Sequence, residues 1–175
     1  MMLGTGLDII NIARFEREIA RHGDGLLDEL FTPGERAVFD RLRRPASGYA
    51  MGYAAKEACF KALGTGKIGH MGWRDLQVRW APPSPAVLEL SGASGELAAT
   101  MGVRRAHLAL ASTRDHAVAW VALVENHSRS RAGVVRGGDR GRGGDEKLAS
   151  FGKMKPREDV WAPLPLASAT HVTGG

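Results

Sequence analysis

The chain has 175 residues, enough for one domain with a core and short for two, and its 43% hydrophobic and 25% charged content is that of a soluble globular protein. A single cysteine, Cys59, excludes an internal disulfide and makes a reducing cytoplasm the default, and no apolar run approaches the ~20 residues of a membrane span. The net charge of +5 invites a nucleic-acid reading, but residues 126–175 hold nine Lys/Arg against five Asp/Glu, while residues 1–125 hold 15 against 14, so the basic excess lies in the tail and not on a folded face.

The N-terminus, MMLGTGLDII, lacks a basic segment before its apolar one, so no secretory signal is expected. Residues 3–10 read as a buried first strand whose glycines mark a close approach to the backbone. Asn11 caps a helix over about 12–22, with Ile12, Phe15 and Ile19 at helical spacing. Leu26, Leu27 and Leu30 follow as either core or partner contacts. Thr32-Pro33-Gly34-Glu35 is a capping box with proline at the first helical position, which predicts a second helix over 33–43. Pro45 ends it, Ser47 caps a long helix to Leu63, and Gly64 supplies its C-terminal turn.

Leu76, Val78 and Trp80 alternate as in a half-buried strand, Val87–Leu90 makes another, and Ser91–Met101 reads as a short helix closed by Gly102. Residues 106–124 predict two strands around a turn at Thr113-Arg114-Asp115, the second apolar enough to be central. The pattern is α+β with a mainly antiparallel sheet. A folded domain is expected over 1–125. Residues 126–175, beginning NHSRSRAGVVRGGDRGRGGDEK, read as a disordered Gly/Arg-rich tail with one apolar island, Val160 to Leu166. An RGG-like tail can bind RNA weakly; that reading predicts loss of function on deleting residues 126–175.

The chemistry concentrates in YAAKEACFKALGTG, residues 53–66. Glu57 and Lys61 are four residues apart on one helix face, which on its own describes a surface ion pair worth about 0.3–0.5 kcal/mol. Two features add to it. Ala54, Ala55, Ala58 and Ala62 surround the pair, which would let a ligand lie close, and the helix runs into Gly64-Thr65-Gly66, whose N–H groups can meet a phosphate. Asp8 stands in an otherwise apolar strand and needs a cation or hydrogen-bond partners. Either it caps the next helix, or it shares a divalent cation with Glu57. Hard oxygen donors suit Mg²⁺, which typically takes one or two carboxylates plus phosphate oxygens. Lys61 would then neutralise charge as a phosphoryl bond breaks.

The segments GTGLDIINIARFE, LFTPGER, YAAKEACFKALGTG, GWRDLQV and STRDHAVA occur in that order over residues 2–125, and in this the chain resembles holo-acyl-carrier-protein synthases, the short, trimeric type of 4′-phosphopantetheinyl transferase. The resemblance implies the 4′-phosphopantetheinyl transferase-like fold, a mainly antiparallel sheet packed with a long central helix. It implies transfer of the 4′-phosphopantetheine arm of coenzyme A to a serine of an apo acyl (or peptidyl) carrier protein, releasing adenosine 3′,5′-bisphosphate. By motif matching, Asp8 and Glu57 are the expected Mg²⁺ ligands and Lys61 the catalytic cation, while Lys56, Gly64, Thr65, Gly66 and Ser112 are expected on coenzyme A. Arg14, Arg17 and Arg21, at i, i+3 and i+7 of the first helix, form a basic stripe for the acidic carrier. A homotrimer in the cytoplasm, with no membrane or nucleic-acid partner, completes the expectation.

Two positions depart from the pattern. Ser112 stands where the family has the histidine of a Ser-x-Ser-His run, with His116 four positions on. Gly52-Tyr53 replaces an Arg-Phe that usually precedes Ala-Ala-Lys-Glu. These losses motivate an alternative, a catalytically degenerate paralogue that binds carrier protein without transfer. Which carrier is used, from fatty-acid, polyketide or peptide synthesis, is not written in the residues.

Overall fold

Asn11 divides the first strand from the first helix: its side chain accepts from the Arg14 N–H, so strand β1 (Met2–Asn11) passes directly into helix α1 (Ile12–Leu30). The computed structural model describes residues 1–81 and 84–125; the expectations for residues 126–175, disorder and apolar island alike, lie outside the described residues. Helix α1 is longer than predicted because it restarts after a kink at Gly23, where φ is +60°, a value that suits glycine. Leu27 and Leu30 of the restarted turn are buried in the core. The Thr32–Glu35 capping box is present in full and opens α2 (Pro33–Phe39), shorter than the predicted 33–43.

Helix α3 (Pro45–Ala62) begins at Pro45, with Arg44 at its N-cap. Ser47 is therefore not the cap; it lies buried inside the first turn. A short 3₁₀ turn, Trp73–Asp75, leads into β2 (Leu76–Arg79), followed by β3 (Val87–Leu90), α4 (Gly92–Thr100), β4 (Arg105–Ser112) and β5 (His116–Val124). All strand pairs are antiparallel, but they form two sheets: β1-β5-β4, with β5 central as expected, and the small pair β2-β3.

Helix α3 lies across one face of the larger sheet, against β1 and β5. The contact is backbone to backbone: a Cβ on Gly4 would stand 2.1 Å from the Ala62 carbonyl oxygen, and one on Gly6 2.0 Å from that of Ala58. The expected close approach at these glycines is thus the central helix itself. The expected burial of β1 is not found. It is an edge strand, and Leu7 and Ile9 on its outer face are 51% and 56% exposed. Leu7 pairs with Trp120 of β5, itself 42% exposed, so the face away from α3 carries an open apolar row.

Candidate active site

Side chains alternate across a strand, so with Leu7 and Ile9 turned outward Asp8 turns toward α3. There the Lys61 ammonium donates to Asp8 Oδ1 at 2.7 Å and to the Leu7 carbonyl at 3.1 Å. Helical cap duty belongs to Asn11, which disposes of the reading of Asp8 as a cap. One turn before Lys61, Glu57 Oε1 accepts the Tyr53 hydroxyl at 3.0 Å. Strand β1 and helix α3 therefore bring together three groups that are 49 and 53 positions apart in sequence.

The electrostatics of this cluster are those of a cation site. Burial pushes the Glu57 carboxyl above its usual value, and the negative charge of Asp8 pushes it the same way; the Tyr53 hydrogen bond and Lys61 oppose. Tyr53 is held far above the ordinary phenol range by burial and by Glu57 and Asp8, so its hydroxyl is a donor throughout. Asp8 Oδ2 is buried and has no hydrogen-bond partner among the described residues. A buried carboxylate oxygen without a partner is costly, and a divalent cation relieves both that cost and the repulsion with Glu57. No group of three or more His, Cys, Asp or Glu gathers among the described residues. Two carboxylates alone, with substrate oxygens and water completing the shell, is a donor set that fits Mg²⁺.

Lys56 does not belong to this site. It is 0% exposed and all three of its N–H groups are spent, on Glu35 Oε2 at 3.0 Å and on the carbonyls of Trp73 at 3.1 Å and Leu76 at 2.6 Å. Nothing remains for coenzyme A. Burial lowers its pKa and the Glu35 charge works against that. Glu35 is equally committed: Oε2 also takes the Thr32 N–H, and Oε1 takes the Val78 N–H, both at 2.8 Å. The pair ties α2, α3 and β2 together. The alanines are likewise structural. Ala54, Ala55 and Ala58 are 0% exposed, and Ala58 and Ala62 lie where the glycines of β1 approach, not, as expected, around a ligand.

The loop residues are better placed for a ligand. Gly64 and Gly66 have φ of +77° and +65°, and Thr65 and Gly64 are exposed at the end of α3. Ser112 closes β4 opposite Ala117, on the side that faces α3; alternation puts His116 on the other side, so it does not stand in for the missing histidine. Arg14, Arg17 and Arg21 are all exposed on the first segment of α1, Arg21 lying 3.6 Å from Glu18. Gly52 is no vacated arginine slot: a Cβ there would come within 2.8 Å of the Phe39 ring and 3.0 Å of Phe31.

Sequence reasoning missed Tyr53 as a partner of Glu57 and Glu35 as a partner of Lys56. The first was readable, since a tyrosine four residues before a glutamate on a helix can reach it. The second was not, because nothing local joins residues 21 positions apart.

The family model of ACPS, the 4′-phosphopantetheinyl transferase superfamily, matches residues 4–121. The chain belongs to this superfamily. The holo-[acyl-carrier-protein] synthase of Koribacter versatilis (strain Ellin345) is 37% identical over 125 residues, covering 71% of this chain and all of that protein. That of Methylobacterium sp. (strain 4-46) is 42% identical over 126 residues, covering 71% and 93%. Among solved structures, the Neisseria meningitidis synthase superposes with a TM-score of 0.65 at 26% identity, over 71% of this chain and all of that one. The Helicobacter pylori synthase, solved in complex with coenzyme A, gives 0.61 at 25% identity over 69% and 99%. As a superfamily member the chain has the 4′-phosphopantetheinyl transferase fold, here an α+β arrangement of antiparallel sheets around α3.

Proposed function

We propose that this chain is a holo-acyl-carrier-protein synthase: it moves the 4′-phosphopantetheine arm of coenzyme A onto a serine hydroxyl of an apo carrier protein and releases adenosine 3′,5′-bisphosphate. The observation that carries the reading is the meeting of Asp8, Glu57 and Lys61 across β1 and α3 in a chain of this superfamily.

Asp8 and Glu57 would hold Mg²⁺, which when bound supplies positive charge to the pyrophosphate of coenzyme A. The serine oxygen attacks the phosphorus next to the pantetheine arm. The bond to the bridging oxygen breaks, and the nucleotide bisphosphate departs with that electron pair. Lys61, kept in place by Asp8 and the Leu7 carbonyl, stabilises or protonates the departing phosphate. The Gly64-Thr65-Gly66 loop cradles the nucleotide's phosphates through the N–H groups of Thr65 and Gly66, that of Gly64 being spent on the Lys61 carbonyl, with Ser112 a further contact. The stripe of Arg14, Arg17 and Arg21 docks the acidic carrier, guiding its serine to the site. The open apolar row of Leu7, Ile9 and Trp120 suits an interface with further copies of the chain, as in a homotrimer. The enzyme would work in the cytoplasm.

Intact-mass spectrometry of apo carrier protein incubated with the enzyme, coenzyme A and Mg²⁺ tests this. The expected result is the gain of one phosphopantetheine arm, metal-dependent and lost in Asp8→Asn and Glu57→Gln. Carrier binding with no mass gain across carrier types would overturn it in favour of a paralogue that binds without transfer.

A further inference from the structure

Tyr53 stands at the position where the family pattern has phenylalanine, and the difference is one hydroxyl. That hydroxyl donates to Glu57 Oε1 at 3.0 Å, one turn along α3. The ring that carries it is held from two sides. Phe15 of α1 stacks on it with centroids 5.1 Å apart and planes 19° from parallel. Trp73 of the 3₁₀ turn lies 5.1 Å away at 40°, and Trp73 is in turn braced edge-on by Phe60 at 5.4 Å. Phe15 and Trp73 are both buried, so neither is free to swing and release the ring. A phenol clamped in this way fixes the position of its hydroxyl oxygen, and the 3.0 Å hydrogen bond from it then locates one oxygen of Glu57.

A glutamate side chain has three torsions, and freezing them at the moment a cation binds costs affinity. Groups that hydrogen-bond a ligating carboxylate remove that cost in advance and set which oxygen faces the ion. Across the site, Asp8 shows the same arrangement: Oδ1 is held by Lys61 and Oδ2 is the atom without a partner. We propose that Tyr53 is a positioning residue, holding Glu57 by Oε1 so that Oε2 is presented to the divalent cation opposite Asp8 Oδ2. This rests on the reading of Asp8 and Glu57 as the metal carboxylates. Each carboxylate is then pinned through one oxygen by a neighbour on α3, Tyr53 in one case and Lys61 in the other, and offers the second.

Mn²⁺ binding to the full chain, read from the electron spin resonance signal of the free ion with and without coenzyme A, tests the proposal. Parent, Tyr53→Phe and Glu57→Gln are compared, each also melted without metal. Tyr53→Phe keeps the ring stack and removes only the hydroxyl. It is expected to weaken Mn²⁺ binding about tenfold while the metal-free melting temperature stays at the parent's. In turnover, the Mg²⁺ concentration for half-maximal rate rises while the rate at saturating Mg²⁺ approaches the parent's. Parent-like Mn²⁺ affinity in Tyr53→Phe overturns the positioning role, and if the melting temperature falls at the same time the hydroxyl serves packing only. Parent-like affinity in Glu57→Gln overturns the reading of the metal carboxylates itself. The two failures are therefore told apart by which variant keeps the ion.

Discussion

Lys56 and Glu57 are neighbours in sequence with opposite fates, because helix α3 turns one into the core and the other toward the site. Breaking a buried ion pair by removing one partner costs about 3–5 kcal/mol, since the other charge stays buried. Lys56→Met would leave Glu35 uncompensated together with the carbonyls of Trp73 and Leu76, and denaturant unfolding should show a loss of about that size. Glu57 behaves in the reverse sense. Its folded pKa lies above the ordinary 4.5, so between those two values the folded state binds more protons than the unfolded one. Stability from this group is present at low pH and lost as pH rises through the folded value. Metal-free Glu57→Gln should accordingly melt higher than the parent at neutral pH, the gap closing as pH falls toward 4.5. Mg²⁺ with coenzyme A should raise the melting temperature of the parent by more than that of the variant. A scan across pH with and without metal checks both signs. Local spacing made the Glu57 site legible, whereas the buried role of Lys56 was hidden because a lysine and a glutamate among alanines look the same on a surface helix and in a core.

At the scale of elements, the site depends on one contact, β1 against α3. Gly6→Ala would set a methyl group 2.0 Å from the Ala58 carbonyl oxygen and 2.8 Å from the Ala62 nitrogen. Neither atom can yield without moving the helix, so the strand must shift, and Asp8 moves with it. Overpacking of this kind costs about 1–3 kcal/mol. The expected outcome is a lower unfolding midpoint together with weakened metal binding, whereas Gly25→Ala, where a Cβ meets nothing within 4 Å, should leave metal binding unaltered. Most elements were readable from caps and alternation: Asn11, the Thr32–Glu35 box and the period of β4 and β5 mark true boundaries. The second segment of α1 was not, since His-Gly-Asp-Gly reads as an end, and the helix restarts only because Leu27 and Leu30 find the core.

At the scale of the whole molecule, among the described residues, the larger sheet is covered by α3 on one face and open on the other. The apolar alternation of β1 and β5 looked like burial, because an apolar row left exposed in one chain and a row that meets the core have the same composition. Trp120→Glu would place a charge in the middle of the exposed row. If the row joins copies as proposed above, sedimentation should show the parent as an assembly and the variant as monomer, with the circular dichroism of the fold retained, since Trp120 is already 42% exposed within one chain.

The glycine contact between β1 and α3 also sets a distance. Because the backbones of strand and helix approach closely at Gly4 and Gly6, the span between the Asp8 strand and the Glu57 helix is set there by main-chain atoms, and a side chain added at either glycine resizes it. Two glycines thus act as a gauge for the distance between the strand that carries Asp8 and the helix that carries Glu57.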